Sequence, residues 1–379
     1  MYTRIYGDLQ KLLKKGKVIV IYGPRRVGKT TLVDNFIKHT TLKCKFVSGD
    51  NIETRNVFSS QSAEVIGKYI EGYDLIAIDE AQRIPQVGLG LKILVDNFPD
   101  IFIVITGSAS LNLSYKMGEP LVGRKYTYHL YPLWIGELTE GKNLYELSQN
   151  KEERMIFGSY PEVLTANTDR ERIQILEENV SSYLFKEIID LEQIGNTKIL
   201  LDLLKLIAFQ VGNEVSLTEL GRSLGIDKKT VQRYLCLFEQ SFILYNLRGY
   251  SRNLRKEVTK KSKYYFWDNG VRNAVIKNFN NLNTRDDIGA LWENYLVAER
   301  LKKQEYKQIY SSNYFWRTWE GQEIDWVEER DGGLFGFEFK YGNKIDKCPT
   351  SWIKAYPQSK CQNINKENYL DFILNDHKK

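Results

Sequence analysis

The chain has 379 residues, of which 42% are apolar, 13% aromatic and 27% charged. This is the profile of a folded globular protein with two or three domains, and it excludes the fibrous, low-complexity and disordered classes. The net charge of +6 is concentrated in one segment, where a single acid, Glu257, accompanies Arg248, Arg252, Arg255, Lys256, Lys260, Lys261 and Lys263. Such a local excess is typical of a polyanion-binding surface, and a solvated loop with surplus lysines is the alternative.

The amino-terminal residues 1–17 contain scattered basic side chains but no apolar core, and no apolar run reaches the roughly 18 residues that span a bilayer. The sequence therefore predicts no secretory leader and no membrane-spanning helix. The four cysteines have no CxxC spacing, and the three histidines lie far from them. This pattern disfavours a Cys/His zinc site and predicts reduced thiols in a cytoplasmic protein.

The first motif follows an apolar, β-branched run from Lys17 to Tyr22, which is typical of a buried parallel strand. The next eight residues, GPRRVGKT, match the GxxxxGK[ST] pattern, in which backbone amides at a helix start cradle phosphates. Lys29 is expected to reach the β and γ phosphates of ATP, and the Thr30 hydroxyl to ligate Mg²⁺. A glycine turn that only joins strand to helix is the alternative. The predicted nucleotide-binding residues are Gly23, Pro24, Arg25, Arg26, Val27, Gly28, Lys29, Thr30 and Thr31.

A second apolar run, Leu75 to Ile78, ends in two acids and matches the Walker B pattern. Asp79 is predicted to hold Mg²⁺, directly or through water, and Glu80 to act as the general base that polarises the attacking water. Acids at a strand end can also cap the next turn. The agreement of two separate motifs favours the nucleotide site.

A third apolar strand, from Ile101 to Ile105, leads into Thr106 and Ser108. Either of these hydroxyl residues is a candidate for contact with the γ-phosphate or its water, although Thr also ends ordinary strands. Arg124, Arg25 and Arg26 compete for the role of an arginine that stabilises transition-state charge, within the chain or from a neighbouring subunit. A homo-oligomer is therefore an open possibility.

These motifs together resemble a large prokaryotic family of AAA+-like ATPases, related to the STAND group, that carry a carboxyl-terminal domain of unknown function. The resemblance extends to VGR followed by HLYPL, to GSYPEVL at 158–164 and to KYYFWDNGVRNAV at 263–275, so it spans nearly the whole chain. It implies a sheet in which one strand is inserted between the two Walker strands, and switching with nucleotide state. It supplies no substrate.

The middle of the chain predicts an amphipathic lid helix at 170–195, an apolar helix at 199–209 and then a helix-turn-helix at 216–235. Ser216 and Asp227 are the expected helix caps, and Gly225 suits the turn. Strands at 242–247 and 264–267 would make the basic segment the tip of a wing. This pattern predicts DNA binding, with a protein-docking module or a rigid spacer as alternatives.

The carboxyl-terminal third places acids and a lysine on a helix and two strands. Glu293 lies on a predicted helix from 291 to about 303, Asp325 on one strand, and Glu338 with Lys340 on the next. Asp325 and Glu338 would hold Mg²⁺, Glu293 would support the metal, and Lys340 would orient or deprotonate water. The set resembles the PD-(D/E)XK restriction-endonuclease-like superfamily, with Ile324 in place of proline. An ordinary Glu–Lys pair on a solvated face is the alternative.

The predicted fold is α/β: a P-loop core with a parallel sheet at 1–140, a helical lid or linker at 141–197, a winged helix-turn-helix at 198–275 and a restriction-endonuclease-like domain at 276–379. The predicted function is ATP hydrolysis that couples nucleotide state to DNA binding and to metal-dependent DNA cleavage. The alternative is a regulatory switch that binds DNA or a protein through an inactive nuclease-like domain. Helicase activity lacks separate support in the sequence.

Overall fold

The structure is a computed structural model, which describes residues 2–107, 120–141, 143–184, 197–251, 262–342 and 347–375. The chain divides into two compact units, one ending at Tyr131 and the other beginning at Pro132. Within the described ranges, every helix is too short or too polar to cross a bilayer.

The first unit is built on a parallel sheet. Its described strands are β1 (Val18–Tyr22), β2 (Cys44–Ser48), β3 (Leu75–Asp79), β4 (Phe102–Gly107) and β5 (Lys125–His129), connected through helices α1 (Lys29–His39), α2 (Ile52–Ser59), α3 (Ala63–Ile70) and α4 (Val87–Asn97). The strand order is β2-β3-β4-β1-β5. Strands β1 and β3 are almost wholly buried, as their unbroken apolar runs predict. The strand β4 pairs with both, so the predicted insertion between the Walker strands is present.

Because all five strands run parallel, their carboxyl ends meet at one edge of the sheet. Tyr22, Asp79 and Gly107 end three neighbouring strands there, beside the loop that follows β1. Loops at this edge of an open α/β sheet are the usual place for a ligand. The fold therefore brings together motifs that are up to about eighty residues apart in the sequence.

The second unit begins with short helices and continues with longer ones. Its described helices are α5 (Leu144–Gln149), α6 (Lys151–Phe157), α7 (Pro161–Thr165), α8 (Asp169–Glu178), α9 (Thr197–Phe209), α10 (Leu217–Leu224), α11 (Lys228–Gln240), α12 (Asn269–Ile276), α13 (Ile288–Tyr306), α14 (Thr350–Ala355) and α15 (Tyr369–Leu374). The predicted lid helix starts as α8 but changes to a π-helical turn at Asn179–Leu184. Its remaining residues, 185–196, lie outside the described ranges.

A seven-stranded sheet forms the centre of the described part of the second unit. Its strands are β6 (Glu214–Val215), β7 (Leu244–Gly249), β8 (Ser262–Phe266), β9 (Ser312–Arg317), β10 (Glu323–Arg330), β11 (Gly333–Phe339) and β12 (Lys360–Ile364). The order is β12-β11-β10-β9-β7-β8-β6. Strand β7 pairs antiparallel with β8 and parallel with β9, so the hairpin and the carboxyl-terminal strands share one sheet. The four domains drawn from the sequence, and the three boundaries between them, stay a prediction.

The segments GSYPEVL and WDNG meet in the interior of the second unit. Buried Asp268 accepts hydrogen bonds from the backbone N–H of Ser159 at 2.7 Å and of Val271 at 3.1 Å. Asn273 donates to the carbonyls of Met155 and Ile156. These two motifs of the resemblance therefore form a buried polar network that fixes α12 against the end of α6.

Cys348 and Cys361 form a disulfide, with Cα atoms 6.1 Å apart. The prediction that all four cysteines are reduced is wrong for this pair. Strand β12 places Cys361 opposite Gly336 of β11, and both cysteines pack on the apolar cluster around Trp352. Disulfide formation depends on this spatial approach, which spacing along the chain does not reveal.

Candidate functional site

The loop after β1 adopts the geometry that a phosphate-binding loop requires. Gly28 has φ +92° and precedes α1 directly, and an added Cβ at Gly23 would lie 1.9 Å from the Leu130 carbonyl oxygen. Both positions therefore need glycine, one for its dihedral angle and one for the close approach of another backbone. Lys29 is 5% exposed, and its Nζ donates to the carbonyls of Gly23 at 2.9 Å and Pro24 at 2.7 Å.

The two motifs touch at Thr30 and Asp79. The Thr30 hydroxyl donates to Asp79 Oδ2 at 2.9 Å, and the Thr106 hydroxyl donates to Asp79 Oδ1. A hydroxyl and a carboxylate in contact, at the end of a parallel strand and the start of a helix, are the hard oxygen ligands that Mg²⁺ prefers. The residues present therefore fit this metal.

Glu80 adopts a left-handed backbone conformation, with φ +51°. Its N–H donates to the Thr106 hydroxyl at 3.2 Å, and its carboxylate accepts from Gln82 Nε2 at 2.5 Å. An added Cβ at Gly49, the residue after β2, would lie 2.3 Å from the Glu80 carbonyl oxygen. This position therefore needs glycine to leave room for the turn at Glu80. Strained backbone of this kind is often found at active sites. Sequence reasoning missed Gln82, although it lies two residues after Glu80.

Arg4 is a further residue that sequence reasoning missed. Its guanidinium is buried and donates to the carbonyl of Val27 in the phosphate-binding loop, and at 2.7 Å to that of Tyr131. It ties the middle of the loop to the chain beyond β5. No local signal marks this role, because Arg4 stands 23 residues before Val27.

The remaining predicted nucleotide residues lie on this loop and helix. Arg25 and Arg26 are half-buried, Val27 is buried, and Thr31 is exposed on α1. Ser108, one of the two sensor candidates, lies outside the described residues. Thr106, the other, is 1% exposed and contacts Asp79 and Glu80.

Arg124 lies away from this constellation. It comes just before β5, and β5 starts opposite Val18, the first residue of β1. Arg124 is therefore at the amino edge of the sheet, a full strand length from the loop around Lys29. Its guanidinium pairs with the Asp96 carboxylate at 2.7 Å and 3.2 Å. The prediction that Arg124 contacts a nucleotide within its own chain is wrong, and a role towards a neighbouring subunit stays a prediction.

The second constellation lies in the large sheet. Strands β10 and β11 pair Trp326 with Phe337, which places Asp325 and Glu338 opposite each other one position further on. The register of β10 against β9 shifts between Ile324 and Val327, an irregularity that includes Asp325. The Asp325 carboxylate accepts from the Phe339 N–H at 2.8 Å. This register brings the two acids to facing positions, and their predicted role stays a prediction.

Glu338 is buried between Asp325 and Lys340. Burial, together with the facing Asp325 carboxyl, raises the pKa of Glu338 to about 9. Lys340 Nζ lies 3.8 Å from Glu338 Oε2 and is 38% exposed. Burial also raises the pKa of Asp325. Carboxyls whose pKa values are raised by burial and by a facing carboxyl are often found at functional sites.

Glu293 on α13 is held by two residues of β8. Tyr265 donates its hydroxyl hydrogen to Glu293 Oε1 at 2.5 Å, and Lys263 Nζ lies 3.6 Å from the same oxygen. Lys263 also pairs with Glu323. Burial and the nearby Asp325 carboxyl raise the pKa of Glu293 to about 7. The sequence placed Lys263 in a polyanion-binding surface, and this is wrong because its side chain is 1% exposed.

The described residues contain no group of three or more His, Cys, Asp or Glu side chains arranged to hold a metal ion. Asp325 and Glu338 are adjacent, but Glu293 is engaged by Tyr265 and Lys263. The assignment of Asp325, Glu338 and Glu293 as metal ligands stays a prediction.

The helices α10 and α11 have the caps that the sequence predicts: Ser216 and Gly225 cap α10, and Asp227 caps α11. Ser216 accepts from the Glu219 N–H, Asp227 accepts from the Thr230 N–H, and Gly225 has φ +67°. The exposed residues of α11 include Lys228, Lys229, Gln232 and Arg233. The basic residues from Arg252 to Lys261 lie outside the described ranges.

Three family models match parts of the chain. Residues 15–139 match an AAA domain, residues 148–282 a domain of unknown function (DUF8612) and residues 288–373 a second domain of unknown function (DUF4143). With the parallel sheet and the loop around Lys29, the first match defines the amino-terminal part as a P-loop ATPase domain of the AAA type.

Several similar proteins are uncharacterized. Rv2008c of Mycobacterium tuberculosis is 27% identical over 343 residues, covering 88% of this chain and 72% of the relative. MJ1544 of Methanocaldococcus jannaschii is 24% identical over 383 residues, covering 95% of this chain and 83% of the relative. Among solved structures, the Walker-type ATPase PABY2304 of Pyrococcus abyssi aligns with a TM-score of 0.47 and 14% identity, over 72% of this chain and 94% of that one.

Proposed function

We propose that the chain binds ATP with Mg²⁺ between Lys29 and Asp79 and hydrolyses it. The observation that carries this proposal is the 2.9 Å hydrogen bond from Thr30 to Asp79, which joins the two motifs at one point. When bound, Mg²⁺ would neutralise negative charge on the β and γ phosphates. Lys29 lies at the helix start, where its ammonium can exchange the loop carbonyls for phosphate oxygens.

Glu80 is the group best placed to take a proton from water. Gln82 and the Glu80 N–H contact to Thr106 fix its position next to Asp79. Thr106 donates to the Asp79 carboxylate and accepts from the backbone N–H of Glu80, so it fixes the end of the strand that carries both acids. This arrangement supports hydrolysis, not only nucleotide storage.

The test compares three variants in ATP binding and ATP turnover. Lys29→Ala should lose both, and Glu80→Gln should keep binding while its turnover falls by about 100-fold or more. Lys38→Ala is the matched control, because Lys38 lies on the same helix but pairs with Asp34 on the surface. ATP turnover that persists in both Lys29→Ala and Glu80→Gln would refute the proposal.

We further propose that nucleotide state controls nucleic-acid binding by the second unit. The exposed positive side chains of α11 support this role, since phosphate contacts supply most of the affinity in such complexes. A docking module for a protein partner is the alternative, and an affinity for DNA that is independent of salt concentration would favour it.

The topology of the large sheet also supports nucleic-acid binding by the second unit. Strands β7 and β9 run parallel, so the exposed Arg248 and the turn after Arg317 lie at the same end of the sheet. Trp319 on that turn is fully exposed. The Asp325–Glu338 pair lies at this end as well, because β10 starts there and β11 ends there. Exposed aromatic side chains stack on unpaired bases, and arginines at the same end of the sheet add contacts to phosphates.

A second candidate function is metal-dependent phosphodiester cleavage at Asp325 and Glu338. The observation that favours it is the pairing of these carboxyls across β10 and β11 beside Lys340. Mg²⁺- or Mn²⁺-dependent nicking should disappear in Glu338→Ala and Lys340→Ala while DNA binding persists. Glu329→Ala, at an exposed position of the neighbouring strand β10, is the matched control.

The absence of cleavage would favour the regulatory alternative, in which nucleotide state controls DNA or protein binding and no strand is cut. Wild-type protein would then leave every DNA and RNA substrate intact with either metal. ATP turnover would be unaffected by this result, so the two proposals can fail separately.

A further inference from the structure

Two lysines converge on one tyrosine at the end of the large sheet. Lys366 Nζ lies 4.4 Å from the centroid of the Tyr341 ring, and Lys151 Nζ lies 6.0 Å from the same centroid. Both lysines are half-buried, and neither forms an ion pair with a carboxylate among the described residues. Glu152, the acid next to Lys151 in the sequence, accepts instead from the Tyr341 hydroxyl at 3.3 Å. The fold therefore holds two like charges near each other, which costs electrostatic free energy unless an anion joins them.

A buried arginine lies one turn further along α6 than Lys151. Arg154 is 3% exposed, donates to a backbone carbonyl of α5, and faces the hydroxyls of Tyr295 and Tyr369. Within the described ranges it has no carboxylate at ion-pair distance, and its Nε has no hydrogen-bond partner. Burial and the charges of Lys366 and Arg154 lower the pKa of Lys151. Three cations thus act on one another at this place.

The lack of acid partners sets these cations apart from other buried basic side chains of the second unit. A carboxylate lies at ion-pair distance from each of Lys263, Arg272, Arg285, Arg300 and Lys302. Glu299 lies near enough to act on Arg154, but it is already engaged by Lys302 at 2.8 Å and by the Ile135 N–H at 2.7 Å. A buried or half-buried cation is ordinarily compensated by an anion. The compensating anion for this cluster is therefore expected from outside the chain.

We propose that Lys151 and Lys366 bind a phosphate group, with Arg154 behind them adding positive potential. Ammonium groups donate strong, charge-assisted hydrogen bonds to phosphate oxygens. One phosphate between the two lysines would replace their mutual repulsion by two attractions. The phosphate belongs either to a nucleic-acid strand or to a free phosphate compound.

The position in the sheet favours a nucleic-acid strand. Tyr341 follows the end of β11, and Lys366 follows the end of β12, which is parallel to β11. Both residues therefore lie at the end of the sheet that also carries the turn with Trp319. Neighbouring strands are spaced by about 4.8 Å, so the three steps from β12 to β9 correspond to roughly 15 Å. A short single strand can reach from Trp319 to the two lysines, and this part of the inference rests on the proposed nucleic-acid binding.

The first measurement uses inorganic phosphate, whose binding to the full-length protein is followed by phosphorus NMR. Every protein carries Lys29→Ala, so that the loop of the first unit does not contribute a site. Affinity for phosphate should fall by about tenfold in Lys151→Gln and in Lys366→Gln, because each loses a charge-assisted hydrogen bond. Lys307→Gln is the matched control and should keep the parent affinity. Lys307 also lies over an aromatic ring, 5.9 Å from that of Trp134, but it follows α13 near the start of β9, at the opposite end of the sheet.

The second measurement identifies the owner of the phosphate. Affinity for a single-stranded oligonucleotide is measured by fluorescence anisotropy over a range of salt concentrations. A strand phosphate at this site predicts that each substitution reduces the slope of log affinity against log salt by about 0.7, whereas Lys307→Gln leaves the slope unchanged. A loss of phosphate binding with an unchanged slope would assign the site to a free phosphate compound.

Unchanged phosphate affinity and an unchanged salt slope in both variants would overturn the inference. So would equal losses in Lys307→Gln, because the effect would then reflect net charge alone. A wild-type protein that binds no oligonucleotide would count against the proposed nucleic-acid binding, and the phosphate measurement would still decide this inference.

Discussion

Replacing Asp268 by alanine should destabilise the second unit strongly, because it strips two buried backbone donors of their acceptor. Asp268 is 4% exposed, and its carboxylate accepts from the N–H of Ser159 at 2.7 Å and of Val271 at 3.1 Å. A buried donor left without a partner costs about 1–3 kcal/mol, so two of them cost roughly 2–6 kcal/mol. Water has no easy access, since Gly158 and Gly270 pack directly on this carboxylate.

The matched control is Asp227→Ala. Asp227 also caps a helix, accepting from the Thr230 N–H at 2.9 Å, but it is exposed and water can replace it. Differential scanning calorimetry should show the transition of the second unit lowered by roughly 5–15 °C in Asp268→Ala, and by much less in Asp227→Ala. Equal shifts in the two variants would refute the idea that burial of the unpaired donors sets the cost.

Three further predictions follow from other contacts. Because the pKa of Glu338 is raised to about 9, the folded protein keeps a proton that the unfolded chain releases above about pH 4.5, and the contribution of this group to stability is lost as the pH rises towards 9. The melting temperature of Glu338→Gln, measured relative to wild type, should therefore rise between about pH 5 and pH 9. A difference in melting temperature that stays constant with pH would contradict the raised pKa. Trp319→Ala should weaken the binding of single-stranded DNA by about tenfold, as measured by fluorescence anisotropy. Tyr310 is an exposed aromatic residue at the other end of β9, and Tyr310→Ala should leave this affinity unchanged. Equal losses of affinity in the two variants would count against base stacking. Arg4→Met should weaken ATP binding severalfold by freeing the Val27 carbonyl, and an unchanged dissociation constant would exclude a role for Arg4 in shaping the loop.

The contact between the loop around Lys29 and Asp79 was predictable because its determinants are local. The loop, its lysine and the following threonine are contiguous, and Asp79 with Glu80 ends a recognisable apolar strand. Parallel pairing then brings the two segments together without further information. The residues that support them were not predictable in this way. Arg4 reaches Val27 and Tyr131 across 23 and 127 positions, and no pattern in the sequence records such a contact.

In the second constellation, only the pairing of Asp325 with Glu338 was predictable from the sequence. A two-residue period on each strand and a short hairpin turn place Asp325 opposite Glu338. Lys263 was misjudged because it lies in a basic stretch, and a count of charges does not distinguish a buried lysine from solvated ones. Its burial follows from the pairing of β8 with β7, which sets which side chains face the interior. The disulfide between Cys348 and Cys361 also escaped prediction, because it too depends on which residues the fold brings together.

The parallel pairing of β7 with β9 also limits how this protein can be dissected. A fragment starting at residue 288, where the carboxyl-terminal family match begins, would retain β9 but lose the neighbour that satisfies one of its edges. An uncovered strand edge recruits other chains and promotes aggregation. Excision of that module should therefore give insoluble material, whereas a fragment that starts at Pro132 keeps the whole sheet.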